Sequence, residues 1–574
     1  MRSLFLLALG VVPAILFSQN TPRRAPAHKA SAVGPERLIR VSPELIYFNG
    51  VIYTGNGFAE DKPEVVQAIA IGGGKVLAVG TTQEITRLAG PKTKLRDLDT
   101  AGTSHFIFPG FNDAHTHLGA AGQTKLNVDL TGVKSLGEMA AQVQKFAASA
   151  PTGHWLTGGN WDHTLWANKV LPTRQDLDKV TGDHPAFLER IDGHIAVVNT
   201  AGLKAGGVTG RSKAPQGGAI DLDANGEPTG ILRDTAMDLV SKMIPPPSHE
   251  ERRRGLESAM ADALSHGVTS VQDFSEWEDF LTFEEMEKEG KLNLRVSEWL
   301  PFQNSLEQLK QMQAHHDAHD PMLHTGMLKG FMDGSLGSRT AALKAPYADD
   351  ASNSGLPRFT QDELNRMAME RAKAGFQLGF HAIGDRGTGM ALDAFSQAGV
   401  PRTARNRIEH AQVVDPADIP RFKRLGVIAS MQPNHLLTDM NWAEERLGPQ
   451  RAAYSYAWKA FLDAGVPLAF GTDYPVEPIT PFRGLYAAVT RMNEGGTKSY
   501  YPENKLTRGQ ALFAYTQGSA YAEFAERRKG KLVPGFAADL IVVDRDLYKA
   551  EPQAVLTTKV IATFVEGREV YPAF

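Results

Sequence analysis

The sequence predicts a (β/α)8 barrel carrying a small composite β-sandwich domain and an inserted lid subdomain, and three observations lead there. Short apolar runs such as Val268-Thr269-Ser270-Val271, Leu294-Arg295-Val296 and Leu468-Ala469-Phe470 alternate with helical stretches across residues 109–526. Strands separated by helices imply βαβ units and a parallel sheet. Polar and titratable residues cluster at the ends of those runs, which favours a closed barrel over an open sheet. Hairpin-like texture is confined to the two ends of the chain, and neither end alone has enough strands to bury a sheet face.

The elements follow in chain order. Arg2 precedes an apolar run from Leu4 to Phe17, then Ser18 and Gln19-Asn20, the shape of a secretory signal peptide over residues 1–19. The run is shorter than the roughly 20 residues of a spanning helix. The mature chain is therefore expected to be exported, periplasmic or secreted, and free of the membrane, with an uncleaved anchor as the alternative. Residues 20–43, with Thr21-Pro22-Arg23-Arg24-Ala25-Pro26, read as a linker. Residues 44–108 read as the first part of the β-sandwich. Leu45-Ile46-Tyr47-Phe48 and Val51-Ile52-Tyr53 form an expected hairpin about Asn49-Gly50, and Gly72-Gly73-Gly74 turns a second one.

The barrel is expected over 109–526, interrupted from about Val128 to Ile244 by a segment too long for one loop, read as a lid or subdomain. Ser248-His249-Glu250-Glu251 has the form of a capping box and opens a helix reaching His266. Residues 527–574 complete the sandwich, through Ala538 to Val543 and a hairpin about Glu566-Gly567.

Composition narrows the function. Hydrophobic residues at 42%, charged residues at 22% and a net charge of -4 are those of an ordinary globular protein, so neither nucleic acid nor an anionic surface is expected as partner. A small-molecule substrate is expected instead, and a homo-oligomer is left open. Cysteine is absent, which excludes disulfides, a thiolate nucleophile and zinc-thiolate ligation.

Any metal must then be held by imidazole or carboxylate. The strand ending Phe108-Pro109-Gly110-Phe111-Asn112-Asp113-Ala114-His115-Thr116-His117 can aim both histidines into one cavity, because alternate strand residues share a face. His381, His410 and Asp473 each end a further apolar run, and strand ends of a parallel barrel converge on one face. Lys329 lies within an apolar run, where a charged amine is costly unless paired or modified. Asp333 or Glu298 would be its partner in an ordinary ion pair.

His115-x-His117, Lys329-Gly330-Phe331-Met332-Asp333-Gly334, His381-Ala382-Ile383-Gly384-Asp385, Ile408-Glu409-His410-Ala411-Gln412 and Asp473, in that order, resemble the amidohydrolase superfamily, in its amidohydrolase-3 branch. The resemblance spans most of the mature chain. It implies a divalent metal centre, zinc foremost, with one ion on His115, His117 and Asp473, and a second on His381 and His410. Lys329, carboxylated on its amine, would bridge them, with a single ion and an unmodified lysine as the alternative.

The expected reaction is hydrolysis of a non-peptide C–N bond (amide, N-acyl or N-formyl) by metal-activated hydroxide, with Asp473 as general base and acid. A deaminase, a lactone or ester hydrolase, and a non-catalytic binding protein are the rivals. His194 is a candidate catalytic or substrate contact. Arg339 would bind an anionic substrate group or sit in an ion pair. Trp161, beside Asp162, His163 and Trp166, would line the pocket from the lid or pack inside it.

Overall fold

A computed structural model describes residues 42–100, 103–190, 195–215 and 218–572. The expected leader and nearly all of the expected linker lie outside the described residues. Eight parallel strands follow one another in chain order around the central sheet. They are β1 (Phe111–Thr116), β2 (Val268–Asp273), β3 (Arg295–Pro301), β4 (Leu323–Phe331), β5 (Leu378–Ala382), β6 (Arg407–His410), β7 (Ile428–Met431) and β8 (Leu468–Phe470).

Closure comes just past β8. Thr116 bridges Tyr474 in parallel, the His117 N–H donates to the Tyr474 carbonyl at 2.8 Å, and the Asp473 N–H donates to the His115 carbonyl at 2.8 Å. The strands are buried on both faces, as expected where helices cover the outside of a parallel barrel. Several of those helices start from side-chain caps. Ser248 and Glu251 form a reciprocal capping box at the head of His249–Ser265, and Ser305 with Gln308 does the same for Leu306–Ala314.

Between β1 and β2 the chain builds a separate six-stranded sheet from Val128–Asp129, Gly158–Trp161, Phe187–Arg190, Ile195–Val198, Pro228–Asp234 and Gly218–Leu222. It has its own apolar core, with Trp161, Trp166 and Leu188 buried together.

Strands from both chain ends form the remaining large sheet, ordered Arg568–Tyr571, Val560–Val565, Leu540–Val543, Phe106–Pro109, Val51–Tyr53 and Val65–Val66. A four-stranded sheet of Lys75–Gly80, Ala68–Gly72, Leu45–Phe48 and Lys94–Asp97 shares a core with it, where Tyr47, Ile69, Ile52 and Phe564 pack together. This arrangement corrects the expected hairpin at Asn49-Gly50. Asn49 does turn with φ 56°. Leu45–Phe48, however, pairs with Ala68–Gly72, while Val51–Tyr53 pairs with Val65–Val66 and Phe106–Pro109. The chain crosses between sheets there, because Tyr47 and Ile52 reach a common core only from separate sheets. The Tyr47 and Phe564 rings meet edge to face at 6.0 Å.

One buried ion pair ties the barrel to this β-domain. The Arg295 guanidinium at the start of β3 makes a bidentate bond to Asp539, Nε–Oδ2 at 2.7 Å and Nη2–Oδ1 at 3.0 Å, with both side chains about nineteen-twentieths buried. Asp539 begins the segment that enters Leu540–Val543, so this bond fixes the last part of the chain on the barrel floor. Arg295→Ala leaves that carboxylate buried without its cation and is expected to lower the unfolding free energy by about 3–5 kcal/mol. The shift of the urea midpoint at unchanged m-value measures it, and a loss below about 1 kcal/mol would contradict this role.

Candidate metal centre

The ends of β1, β4, β5 and β6 and the turn after β8 bring His115, Lys329, His381, His410 and Asp473 to one mouth, and His117 joins them from the residue before the helix Leu118–Lys125. His115 Nε2 lies 3.0 Å from Lys329 Nζ and 3.5 Å from Asp473 Oδ1. His117 Nε2 lies 3.2 Å from the same Asp473 oxygen. The His410 ring sits 4.9 Å from that of His115 and 4.5 Å from that of His381, centroid to centroid. Gly471 permits this approach, because a Cβ there would stand 2.5 Å from the His115 backbone nitrogen. His410 and Asp473 both hold left-handed backbone, at φ 70° and 64°, a strain that persists only where surrounding contacts impose it.

Outer partners fix the rings. His115 Nδ1 bonds Glu409 Oε2 at 2.8 Å, and Glu409 Oε1 accepts from Arg407 Nε at 2.8 Å, all three side chains being fully buried. Arg407 is itself held by the Ala114 carbonyl, Ser430 and Gln272. His117 Nδ1 donates to the Phe274 carbonyl at 2.8 Å. With the Nδ1 protons directed outward, Nε2 of both rings presents a lone pair to the Asp473 carboxylate. Acceptors facing acceptors at 3.2 and 3.5 Å suit a cation between them, beside the Lys329 amine that lies 3.0 Å from His115 Nε2. A tetrahedral ion with bonds of about 2.0–2.1 Å has ligand–ligand edges of about 3.3–3.4 Å, so the donor set fits a divalent metal.

Electrostatics agree with this geometry. Burial and the Lys329 charge push His115 well below its ordinary value. Burial would raise Asp473, but His115, His117, His435 and His410 around it hold it well below the carboxylate range. Burial takes Lys329 down to about 8 and His381 down to about 3. Lys329 does not form the ion pair that Asp333 or Glu298 would have supplied. Asp333 accepts the N–H groups of Ala342, Ile383 and Gly384, and Glu298 accepts that of Ser275. The Lys329 ammonium instead lies 5.2 and 5.1 Å from the ring centres of Trp299 and Phe331.

Two expected substrate contacts are corrected. Trp161 is fully buried in the core of the inserted sheet, with its indole N–H on the Leu188 carbonyl at 2.9 Å, so it lines no pocket. Arg339 makes a bidentate bond to Asp349, at 3.1 and 2.8 Å, which occupies its guanidinium. His194 lies outside the described residues. The mouth also contains a residue that the sequence reading passed over. His435, on the helix Pro433–Asp439 after β7, places Nε2 3.1 Å from Asp473 Oδ2. Burial would lower this imidazole, but the hydrogen bond and charge of Asp473, with Asp439 and Glu477, raise it to about 9. The one sequence signal was the polar Gln432-Pro433-Asn434-His435 directly after a strand end. A cavity of about 730 Å³ opens beside His117, lined by Phe274, Trp277, Phe331 and Pro301.

The chain matches the amidohydrolase family model over residues 105–571. It is 32% identical to protein LONG AFTER FAR-RED 3 of Arabidopsis thaliana over 544 residues, covering 92% of each chain. It is 26% identical to the N-substituted formamide deformylase of Arthrobacter pascens, over 87% of this chain and 94% of that one. Among solved structures, an uncharacterised metal-dependent hydrolase from Pyrococcus furiosus superposes with a TM-score of 0.73 at 34% identity, over 88% of this chain and all of that one.

Glu409 sets the tautomer of His115, so its replacement reaches the metal through the ring. Glu409→Gln is expected to weaken divalent-metal affinity by about 10–100-fold, measured by chelator competition. Affinity equal to that of the parent protein would remove Glu409 from this role.

Proposed function

The chain belongs to the amidohydrolase family, and from that premise we propose that it hydrolyses a non-peptide C–N bond, an N-acyl or N-formyl amide, with a zinc-class divalent ion held by His115, His117 and Asp473. One observation carries this reading. Two imidazole nitrogens from the end of β1 and a carboxylate oxygen from the turn after β8 converge at the edge lengths of a tetrahedral site while the outer ring nitrogens are already bonded.

Such an ion supplies Lewis-acid polarisation of the substrate carbonyl and lowers the pKa of water from about 15.7 toward about 7. Asp473 is ionised at neutral pH and accepts the proton that the attacking water loses as its oxygen bonds the carbonyl carbon. The same carboxyl returns that proton to the departing nitrogen as the C–N bond breaks. Amide nitrogen leaves poorly until protonated, so the transfer governs the second half of the reaction.

Lys329, with its amine near 8, has a neutral fraction at neutral pH that can add carbon dioxide and lose a proton. The carbamate would contribute anionic oxygens beside His115, in keeping with the burial of a lysine that makes no ion pair within 4 Å among the described residues. Phe274, Trp277 and Phe331 beside His117 favour an apolar substituent on the amide. Arg252 on the same cavity is tied to Asp279 and Glu276, so it offers no free cation to a substrate. The leader-like segment over residues 1–19 supports export of the chain.

Asp473→Asn keeps a ligating oxygen but cannot take a proton, and kcat is expected to fall about 10²–10⁴-fold while metal content persists. Steady-state kinetics on N-acyl and N-formyl amides, with metal analysis, test this. Equimolar amine and carboxylate are the expected products. Release of ammonia from an amino-heterocycle in their place, or unaltered turnover in Asp473→Asn, would overturn the assignment.

A further inference from the structure

Away from the mouth, another group of donors converges at the floor of the barrel. His316 and Asp320 lie in the loop between the helix Leu306–Ala314 and β4, and Glu284 and Glu287 lie on the helix Trp277–Lys288. One ligand atom each from Glu287, His316 and Asp320 fall within 4.8 Å of one another. The His316 Nδ1–H donates to Glu284 Oε1 at 3.1 Å. Burial would raise Glu284, but its bonds to Lys288 and His316 take it down to about 2, so it stays an acceptor. In the neutral ring that leaves the lone pair on Nε2. His316 Nε2 is buried and makes no hydrogen bond, although Glu287 Oε2 stands 3.4 Å away and Asp320 Oδ2 3.9 Å. Native structures rarely leave a buried ring nitrogen without a ligand or water. Asp320 is anchored by its other oxygen, which accepts the N–H groups of Met322 and Leu323 at 2.7 and 3.2 Å. Burial and the facing charge of Asp320 raise Glu287 above its ordinary value. Among the described residues, neither of these two carboxylates has a lysine or arginine within 4 Å.

From this geometry we propose a divalent-cation seat at the barrel floor, made by His316 Nε2, Glu287 Oε2 and Asp320 Oδ2, at the opposite end of β4 from Lys329. One imidazole and two carboxylates suit a borderline ion such as zinc, whereas calcium and magnesium prefer oxygen alone. A tetrahedral zinc with bonds of about 2.0–2.1 Å sets its ligands about 3.3–3.4 Å apart, which the contact to Glu287 meets. The Asp320 oxygen at 3.9 Å has about half an ångström to close, a movement its free Oδ2 can make. The Glu287 and Asp320 side chains are partly exposed, so water can fill the remaining position. A bound ion would neutralise two facing carboxylates, occupy the unbonded nitrogen, and tie the helix Trp277–Lys288 to the segment that enters β4. The competing arrangement puts only a proton on His316 Nε2, with Glu287 as its counter-ion.

Zinc counting on the full chain separates these arrangements without using turnover. Chelator-stripped protein is titrated with Zn²⁺ by calorimetry, and the floor equivalent is expected to bind with a Kd of about 1 μM or tighter. His316→Ala is expected to bind one equivalent fewer than the parent, or to bind that equivalent at least about 100-fold more weakly. Glu287→Gln, which keeps the size of the side chain and removes its charge, is expected to do the same, and it guards against a folding defect in the alanine variant. His117→Ala, which alters the mouth alone, is expected to retain the floor equivalent. Zinc should also raise the Tm of the parent by more than that of either floor variant, because the ion binds the folded loop and helix together. Parent-like stoichiometry and affinity in both floor variants would overturn the seat. So would a parent that binds no zinc, or binds the extra equivalent only at about millimolar concentration. Loss of all bound zinc in His117→Ala would place every ion at the mouth and overturn it equally.

Discussion

His115 has no exposed surface, so its ring is aimed only by what it bonds, and Nδ1 bonds Glu409. That carboxylate is in turn held by Arg407, whose remaining nitrogens reach the Ala114 carbonyl, Ser430 and Gln272. The chain of contacts crosses the inside of the barrel from β6 to β1, β2 and β7. Each member is a charged or polar group that the low-dielectric interior would expel if it stood alone. Satisfying one another, they convert a destabilising burial into a rigid mount for one nitrogen. The β8 turn depends on the same mount, since the Asp473 N–H bonds the His115 carbonyl and Asp113 ties the His115 N–H to Thr472.

Asp473 gains its properties from that placement. A carboxylate so deeply buried would ordinarily be driven toward its neutral form. Four imidazoles reverse the trend, and the ionised group becomes both a ligand and a proton acceptor. The same desolvation acts on Lys329, outweighs the charges of Glu409 and Asp473, and brings its amine toward neutrality. Burial thus brings the amine toward losing its proton, while the imidazoles around Asp473 keep its carboxylate charged against the same burial.

The parallel barrel was legible in the sequence because apolar runs and intervening helices carry their own periodicity, and His115, Lys329, His381, His410 and Asp473 could be read because each ends or lies within such a run. His435 escaped because it lies on a helix after β7, where the polar Gln432-Pro433-Asn434-His435 does not by itself show which side chain will meet Asp473 across the mouth. Trp161 misled for a related reason. An aromatic cluster looks the same in sequence whether it lines a pocket or fills a core, and only the packing of the inserted sheet decides. At Asn49-Gly50 the turn was readable from residue type, but the strand partners were set by the shared core of two sheets, a property of residues far apart in the chain. Arg339 likewise lost its expected role to Asp349, ten residues on, through a loop geometry that has no periodic signature.

The composite β-sheet has a further consequence during synthesis. Phe106–Pro109 leaves the ribosome early, yet the strand that pairs with it, Leu540–Val543, is made only after the whole barrel. Throughout that interval the nascent chain carries an open strand edge and an apolar face with no cover, the kind of surface that invites association with other chains. Arg295 also waits, uncompensated, for Asp539 to arrive. The order of translation thus makes the last segment of the polypeptide the closing clasp, and chains that stall or terminate shortly before it are left with an unclosed sheet.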